Sequence, residues 1–319
     1  MKIYMALKKI TKSPIFGIST ILLIMCVVLS IITDTFLNDS NIISVIRQFS
    51  FVSIMAIGEL TVILTGAIDL SVGSVFAFSS VISAMALAAG ISLPLALLIG
   101  LIVAMAMGFI NGLLVTKVHL PAFIATLGMM SIARGLAYAV TQGFPVSIKS
   151  DGFKYIGQGY IGIVPIPVVL LIVIAIIVSI FLNKTVAGRQ IYAVGGNEEG
   201  SRVSGIKTDR IKITVFTISG CLAGISGIAT AARLGVAQST AGMGSELDAI
   251  AAVIIGGASV NGGSGKVSGT ILGAAIMGVL KNALVLLSVS AYWQEAIVGC
   301  VIIIAVSMDQ FRHRKERKQ

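Results

Sequence analysis

The sequence predicts an all-α integral membrane protein, a polytopic bundle of about ten transmembrane helices with glycine-interrupted segments. Of its 319 residues, 56% are hydrophobic and only 11% are charged, whereas soluble domains carry about 25% charged residues. Its apolar runs are continuous, as in "VVLLIVIAIIVSIFL" at 168–182, and lack the alternation of a membrane barrel strand. Since one helical span needs about 20 apolar residues, the chain has room for roughly eight to ten spans.

The apolar runs define ten candidate spans along the chain. The first run is long and no small-residue cleavage site follows it, so we expect a retained span rather than a signal peptide. The eighth run is short for a full crossing of the hydrocarbon core. The spans are expected near 14–33, 50–65, 72–89, 93–116, 121–141, 162–183, 211–232, 247–258, 267–288 and 291–308.

The basic residues predict the orientation of these spans. The net charge is +10, and the bases cluster before the first span, in one central loop and after the last span. Such clusters are typical of cytoplasmic loops beside anionic lipid, so we expect membrane lipid and no nucleic acid as a partner. An even span count then gives a cytoplasmic N-terminal segment (1–13), a transmembrane domain (14–308) containing a cytoplasmic loop (184–210), and a cytoplasmic basic tail (309–319).

The same count sorts the connections between spans into two groups. Lys117, the central loop at 184–212 and Lys266 are expected on the side of both termini. Residues 142–161 and 233–246, which hold few bases, are expected on the opposite side.

No residue set predicts catalysis, metal binding or a bound cofactor. The cysteines Cys26, Cys221 and Cys300 lie in apolar runs without a C-x-x-C pair or a neighbouring histidine, so we interpret them as packing residues. The stretch that ends in Gly265 and Lys266 lacks the spacing of a phosphate-binding loop, which argues against nucleotide binding by this chain.

Two segments combine an apolar helix, a glycine break and a small-residue helix. They read "LTGAIDLSVGSVFAF" at 64–78 and "IIGGASVNGGSGKVSGTIL" at 254–272. Non-helical backbone at membrane depth is tolerated only inside protein or beside a water-filled cavity. A pair of such segments is typical of the central pathway of a transporter.

The first of these segments contains Asp69, an aspartate between Gly66 and Gly73. One interpretation is structural: Asp69 or Ser71 caps the helix that follows by accepting its free amide protons. The other is functional: Asp69 lines the transport pathway. The sequence leaves both open.

Three further polar residues are pathway candidates. Glu59 is the only other carboxylate within residues 50–89, and an intramembrane carboxylate usually faces protein or water. It is either a local pair partner or a pathway residue. Arg134 is either a buried partner of a carboxylate or a pathway donor, and Asn111 is a lesser candidate.

The central loop contains "NEEGSRVSG" at 197–205, which predicts a short surface helix. Asn197 is a natural N-cap, and Glu198 and Glu199 follow where the helix dipole favours anions. Gly205 suits the C-terminal end. The helix is either a plain loop helix or a docking helix for a cytoplasmic partner.

Several stretches resemble the permease subunits of ribose-type sugar ABC importers over roughly residues 45–310. They are "GAIDLSVGS", "GFINGLLVTKVHLPAFIATLGMMSIARG", "YAVGGNEEGSRVSGIKTDRIKI" and "TAGMGSELDAIAAVIIGGASVNGGSGKVSGT". The resemblance implies a homodimeric inner-membrane permease for a monosaccharide, a ribose-like pentose or a related sugar. It also implies two cytoplasmic ATPase subunits and a periplasmic or lipid-anchored sugar-binding protein, which sets most of the specificity. Glu59 departs from the uncharged residue usual in that family.

Carried onto this chain, the resemblance implies that Glu198, Glu199, Gly200 and Gly205 meet the ATPase, so that the chain itself is not an enzyme. An ion-coupled secondary sugar carrier is the alternative, with Glu59 and Asp69 as its ion sites. The long central loop favours the importer, because a self-sufficient carrier has no ATPase to contact. A membrane-embedded enzyme lacks any candidate catalytic set.

Overall fold

The computed structural model describes residues 14–316. The N-terminal segment 1–13 and the last residues of the basic tail, 317–319, lie outside the described residues. Within the described part the chain forms helices joined by short connections, with four strands of two residues each. The predicted all-α membrane class is confirmed.

The helices are numbered here in chain order. They are α1 (Pro14–Ile32), α2 (Asp39–Ile63), α3 (Val72–Ala88), α4 (Leu93–Thr116), α5 (Ala122–Thr141), α6 (Asp151–Gln158), α7 (Ile166–Lys184), α8 (Val186–Gly196), α9 (Glu198–Val203), α10 (Thr208–Leu234), α11 (Ser245–Ile255), α12 (Val267–Leu286) and α13 (Ala291–Glu316). The strands are β1 (Val146–Ser147), β2 (Tyr160–Ile161), β3 (Val164–Pro165) and β4 (Val236–Ala237).

Seven described helices are long and apolar enough to cross a membrane, so the expected count of ten spans is not confirmed. They are α1, α2, α4, α5, α7, α10 and α12. Helix α3 has 17 residues, and the apolar part of α13 runs over Tyr292–Ile304. The run expected at 247–258 forms only α11, with 11 residues, because Gly256 and Gly257 follow it and Gly257 adopts a φ of 86°.

The second span also begins earlier than expected. Helix α2 starts at Asp39 rather than near residue 50, because the side chain of Asn38 accepts a hydrogen bond from the amide of Ser40 and caps the helix. This cap satisfies an amide that has no partner within the helix.

Helix α10 is the centre of the bundle and packs against α2, α3 and α4. Its small residues permit this close approach: a side chain at Gly220 would overlap the carbonyl of Ala104 on α4, and one at Gly227 would overlap the carbonyl of Phe76 on α3. Small residues at helix contacts are the usual means of packing in lipid. Helices α2, α3 and α4 therefore pack around α10.

The connections gather at two ends of the bundle. At the first, Lys117 forms an ion pair of 2.8 Å with Asp209, and Tyr192 of α8 bonds to the carbonyl of Gly265. We call this the basic end, because it carries Lys117, residues 184–212 and Lys266. At the other, the strand end, β1 pairs antiparallel with β4. The structure thus groups the connections as the charge pattern predicts.

Candidate functional site

Glu59 and Asp69 lie together in the interior of the bundle. The amide of Asp69 donates a hydrogen bond of 3.0 Å to Oε1 of Glu59, and the two residues are 0% and 1% exposed. Helix α2 supplies Glu59, while Asp69 stands in the glycine-interrupted turn between α2 and α3. Two residues that the sequence analysis singled out separately are therefore direct partners.

The side chain of Asp69 connects three further elements. Oδ1 accepts hydrogen bonds from the amide and the hydroxyl of Ser71, at 2.9 and 2.6 Å. Oδ2 accepts a bond of 3.1 Å from the hydroxyl of Ser219 on α10. The hydroxyl of Ser71 accepts a bond of 2.9 Å from Nδ2 of Asn111 on α4. We call Glu59, Asp69, Ser71, Asn111 and Ser219 the buried polar cluster.

This geometry argues against capping of α3, one of the two interpretations that the sequence left open. Ser71 is the N-cap residue of α3, but its side chain makes no capping bond. Asp69 accepts the amide proton of Ser71 itself, one residue before the helix begins, rather than one from its first turn. The carboxylate therefore fixes the turn that leads into α3 and ties it to α10, instead of closing the helix end.

Two acceptors of the cluster have no partner among the described residues: Oε2 of Glu59 and Oδ1 of Asn111. A buried acceptor without a donor is costly, and more so at membrane depth. Each of these two oxygens can therefore accept a hydrogen bond from a hydroxyl group or a water molecule that enters the cluster.

Arg134 does not belong to this cluster. Its guanidinium lies on α5 and donates to the backbone carbonyls of Ser239 and Ala241, the second at 2.8 Å. These carbonyls belong to the connection between β4 and α11 at the strand end. Arg134 thus fixes a loop and is half-buried.

The two glycine-interrupted segments meet at the basic end. The amide of Gly263 donates a bond of 3.0 Å to the carbonyl of Leu64. Gly66, with a φ of 77°, lies so close to the carbonyl of Asn261 that a Cβ would sit 3.3 Å from it. Only glycine adopts such a backbone at little cost. The two segments that share a glycine-interrupted pattern in the sequence are therefore in direct contact.

Helix α8 is seated on this junction. A side chain at Gly195 would overlap the carbonyl oxygen of Leu64 and lie 2.5 Å from the amide nitrogen of Gly263. The hydroxyl of Tyr192 donates a bond of 2.9 Å to the carbonyl of Gly265. Sequence reasoning missed both residues. A glycine inside a helix was the signal available, since it often marks a close backbone contact.

Helix α9 follows directly. It has the N-terminal cap and the C-terminal glycine that the sequence predicts. Oδ1 of Asn197 accepts a bond of 2.8 Å from the amide of Gly200, and Gly205 adopts a φ of 84° just beyond the helix. Glu198 turns inward to an ion pair of 2.6 Å with Lys212. Glu199, Gly200 and Gly205 are exposed.

The exposed side of α9 also presents an apolar group. Val203 is 85% exposed, and Arg202 beside it is exposed as well. A single exposed apolar residue is normal on a protein surface, so Val203 does not by itself mark a contact surface.

Comparison with known proteins identifies the class of the chain. The family model described as "Branched-chain amino acid transport system / permease component" matches residues 41–306. No solved structure matches.

Three relatives are similar over almost their whole length. The chain is 42% identical to the ribose import permease protein RbsC of Bacillus subtilis (strain 168), over 91% of this chain and 90% of the relative. It is 41% identical to RbsC of Escherichia coli (strain K12), over 90% and 91%. It is 34% identical to the L-arabinose ABC transporter permease protein AraH of Azospirillum brasilense, over 94% and 89%. Since the family model covers most of its length, the chain belongs to the family of permease components of branched-chain-amino-acid-type transport systems.

Proposed function

We propose that the chain is the transmembrane subunit of an ABC importer that translocates a monosaccharide, a ribose-like pentose or a related sugar, across the inner membrane. The observation that carries this proposal is the 42% identity to a ribose import permease over nine-tenths of both chains. A relative named for L-arabinose import supports the same substrate class. The family description refers to branched-chain amino acids, but these individual relatives bear sugar names.

A separate cytoplasmic ATPase supplies the energy and docks on α9. Two features support this role: the capped, ordered helix, and the exposure of Glu199, Gly200 and Gly205. Glu198 takes part indirectly, because its ion pair with Lys212 ties α9 to α10. Displacement of α9 therefore reaches α10 and, through α8, the junction of the two glycine breaks.

The remaining partners follow from the same arrangement. The basic end faces the cytoplasm together with both termini, since its bases match the positive-inside rule. In this arrangement the short helices α3 and α11 and the apolar part of α13 add three crossings to the seven long helices, which makes the number of crossings even. A periplasmic or lipid-anchored sugar-binding protein then delivers its cargo at the strand end, and a second copy of the chain completes the importer.

Glu59, Asp69 and Asn111 form part of the route or its gate. Their burial supports this role, as do the oxygens of Glu59 and Asn111 that have no partner within residues 14–316, because sugar hydroxyl groups are donors that such acceptors require. Arg134 contributes by holding the loop at the strand end.

Complementation tests the proposal. Cells that lack their own ribose importer receive this chain together with the ATPase and the sugar-binding protein encoded in its neighbourhood, and uptake of radiolabelled ribose and arabinose is measured. We expect uptake that requires all three components. Uptake of leucine with no uptake of either sugar would assign the substrate to the class in the family description instead.

A further inference from the structure

A groove of about 730 Å³ runs along one side of the bundle between α7 and the first turns of α12. Its α7 wall extends from Val168 to Asn183, and the lining residues lie three and four apart, so they form a single stripe on one helix face. At 1.5 Å per residue this stripe is about 22 Å long. Half of a hydrocarbon core is about 15 Å thick, so the groove runs through one leaflet and reaches into the other. We call it the lateral groove.

The lateral groove is apolar and opens to the outside of the bundle. Ile172, Ile176 and Ile180 line it and are 51%, 54% and 55% exposed. Ala175 and Ser179 are the small residues of the stripe, and small side chains between large ones leave room for a narrow apolar chain. Because α7 is long and apolar enough to cross a membrane, the solvent on this side is lipid.

The lateral groove is polar only where it reaches the basic end. Asn183 at the end of α7 and Lys266 and Ser268 at the start of α12 line it there, and all three are exposed. No carboxylate of the described residues forms an ion pair with Lys266. Its ammonium group has three donors and no acceptor. An unpaired cation at the mouth of an apolar groove suits a ligand with an anionic head and an apolar tail.

We propose that the lateral groove binds an anionic phospholipid of the leaflet at the basic end. One acyl chain lies along the α7 stripe, and the phosphate lies at Lys266 and Ser268. Basic pockets between membrane helices at the cytoplasmic side bind such head groups.

Charge favours a lipid over a second copy of the chain in this groove. At the basic end, Glu198 and Asp209 are already paired with Lys212 and Lys117. A second copy would therefore bring mainly further bases toward Lys266, whereas the phosphate of a lipid supplies the missing negative charge.

The position of the lateral groove links the lipid to the junction of the two glycine breaks. Lys266 follows Gly265, whose carbonyl accepts the hydrogen bond from Tyr192 of α8. On the other side of the groove, α7 continues into α8 through Thr185, which caps α8 by accepting a bond of 3.0 Å from the amide of Gly188. A lipid that joins α7 to α12 therefore holds both segments next to the seat of α8, and we expect it to stabilise the chain.

Photolabelling tests the occupant. The full-length chain is reconstituted in vesicles of phosphatidylethanolamine that carry phosphatidylglycerol with a diazirine on one acyl chain, and the adducts are mapped by mass spectrometry. We expect adducts on the α7 stripe and the first turns of α12. Ala175→Phe fills the groove with a ring and should lower this labelling at least fivefold. Ile177→Phe is the matched control, because Ile177 is 60% exposed and lies outside the groove on the same helix, and it should leave the labelling unchanged.

The head group is tested with phosphatidylcholine that carries the same photoreactive chain. We expect phosphatidylglycerol to label the groove several-fold more strongly, and Lys266→Gln to remove this preference. Lys207→Gln is the control, because it removes another exposed lysine of the basic end that has no ion pair among the described residues. Equal labelling of the wild-type groove by both lipids would mean nonspecific lipid contact only and would overturn the proposal.

Thermal unfolding keeps the test decisive if Ala175→Phe fails to accumulate. A ligand that binds the folded state raises its melting temperature. Addition of phosphatidylglycerol should therefore raise the melting temperature of the wild-type chain more than that of Lys266→Gln, and an equal rise in both would contradict the site. If the groove takes no lipid and Ile176→Cys forms a disulfide between two copies, the occupant is a second copy and the proposal is wrong. These measurements follow lipid alone, so their outcome does not depend on which solute the importer moves.

Discussion

The amide of Gly263 donates a hydrogen bond of 3.0 Å to the carbonyl oxygen of Leu64, and this contact joins the two glycine-interrupted segments, at 64–78 and 254–272, which lie far apart in the sequence. Each segment breaks an apolar helix with glycine. Gly195 of α8 packs onto the same point. A displacement of α8 at the basic end therefore acts on both breaks together, and one of them leads directly to Asp69.

The adjacent glycines of α8 give a matched test of this junction. A Cβ at Gly195 would overlap the carbonyl of Leu64, whereas a Cβ at Gly196 would meet no atom of the described residues within 4 Å. We expect Gly195→Ala to reduce sugar uptake at least tenfold. Gly196→Ala should keep full uptake and raise stability by up to about 1 kcal/mol, because alanine favours a helix over glycine. Uptake and membrane abundance are measured for both, and equal uptake would show that the close contact is not needed for transport.

Helix α9 is predicted to seat on the ATPase through its exposed residues. Glu199→Lys should weaken co-purification of the ATPase more at low than at high salt, since exposed charges are screened. Gly200→Trp should abolish uptake by obstructing the seat. Gly200→Ala is the control, because its Cβ would lie 3.2 Å from Cγ of Asn197 and requires only a small shift of that capping side chain. Full uptake in the Gly200→Trp protein would mean that α9 is a plain loop helix.

Removing the ion pair between Glu198 and Lys212 distinguishes docking of the ATPase on α9 from the mechanical coupling of α9 to α10. Lys212→Met removes the 2.6 Å ion pair and leaves the exposed side of α9 unchanged. We expect ATPase co-purification to persist while sugar moved per ATP hydrolysed falls several-fold. Loss of co-purification to the same degree as in Glu199→Lys would place Lys212 in the docking surface itself.

Asp69 is predicted to act through its acceptor oxygens. Asp69→Asn keeps one acceptor for the amide of Ser71 and should reach normal abundance, whereas Asp69→Leu leaves donors on Ser71 and Ser219 buried and unpaired. Each such donor costs about 1–3 kcal/mol, so we expect Asp69→Leu to accumulate poorly. Quantitative blotting of membrane fractions measures abundance, and uptake is compared at equal abundance. Lost uptake in Asp69→Asn at full abundance would favour the pathway role.

Local rules predicted the features that depend on a few neighbouring residues. The cap at Asn197, the positive φ of Gly205 and most long spans are of this kind, because capping and apolar length are set within one or two turns. The partnership of Asp69 with Ser219 on α10 and the seat of α8 on Leu64 depend on packing between distant segments. The sequence therefore left the role of Asp69 open between a helix cap and a pathway residue, and it did not indicate Gly195 or Tyr192.

The orientation of the bundle is open to a reporter test. A reporter that is active only outside the cytoplasm should be silent when fused after Gln319 and active when inserted between residues 145 and 158. Activity after Gln319 would contradict the assignment of the basic end to the cytoplasm and the even number of crossings.

Transport in proteoliposomes tests the central claim, that this chain moves a monosaccharide only when a separate ATPase drives it. The chain is reconstituted alone and with its ATPase and sugar-binding protein, and radiolabelled ribose is followed with ATP, without ATP, and under a proton or sodium gradient. We expect accumulation only with all three proteins and ATP, and none from either gradient. Accumulation by the chain alone under an ion gradient would contradict it and identify a secondary carrier, with Glu59 and Asp69 as the first residues to test.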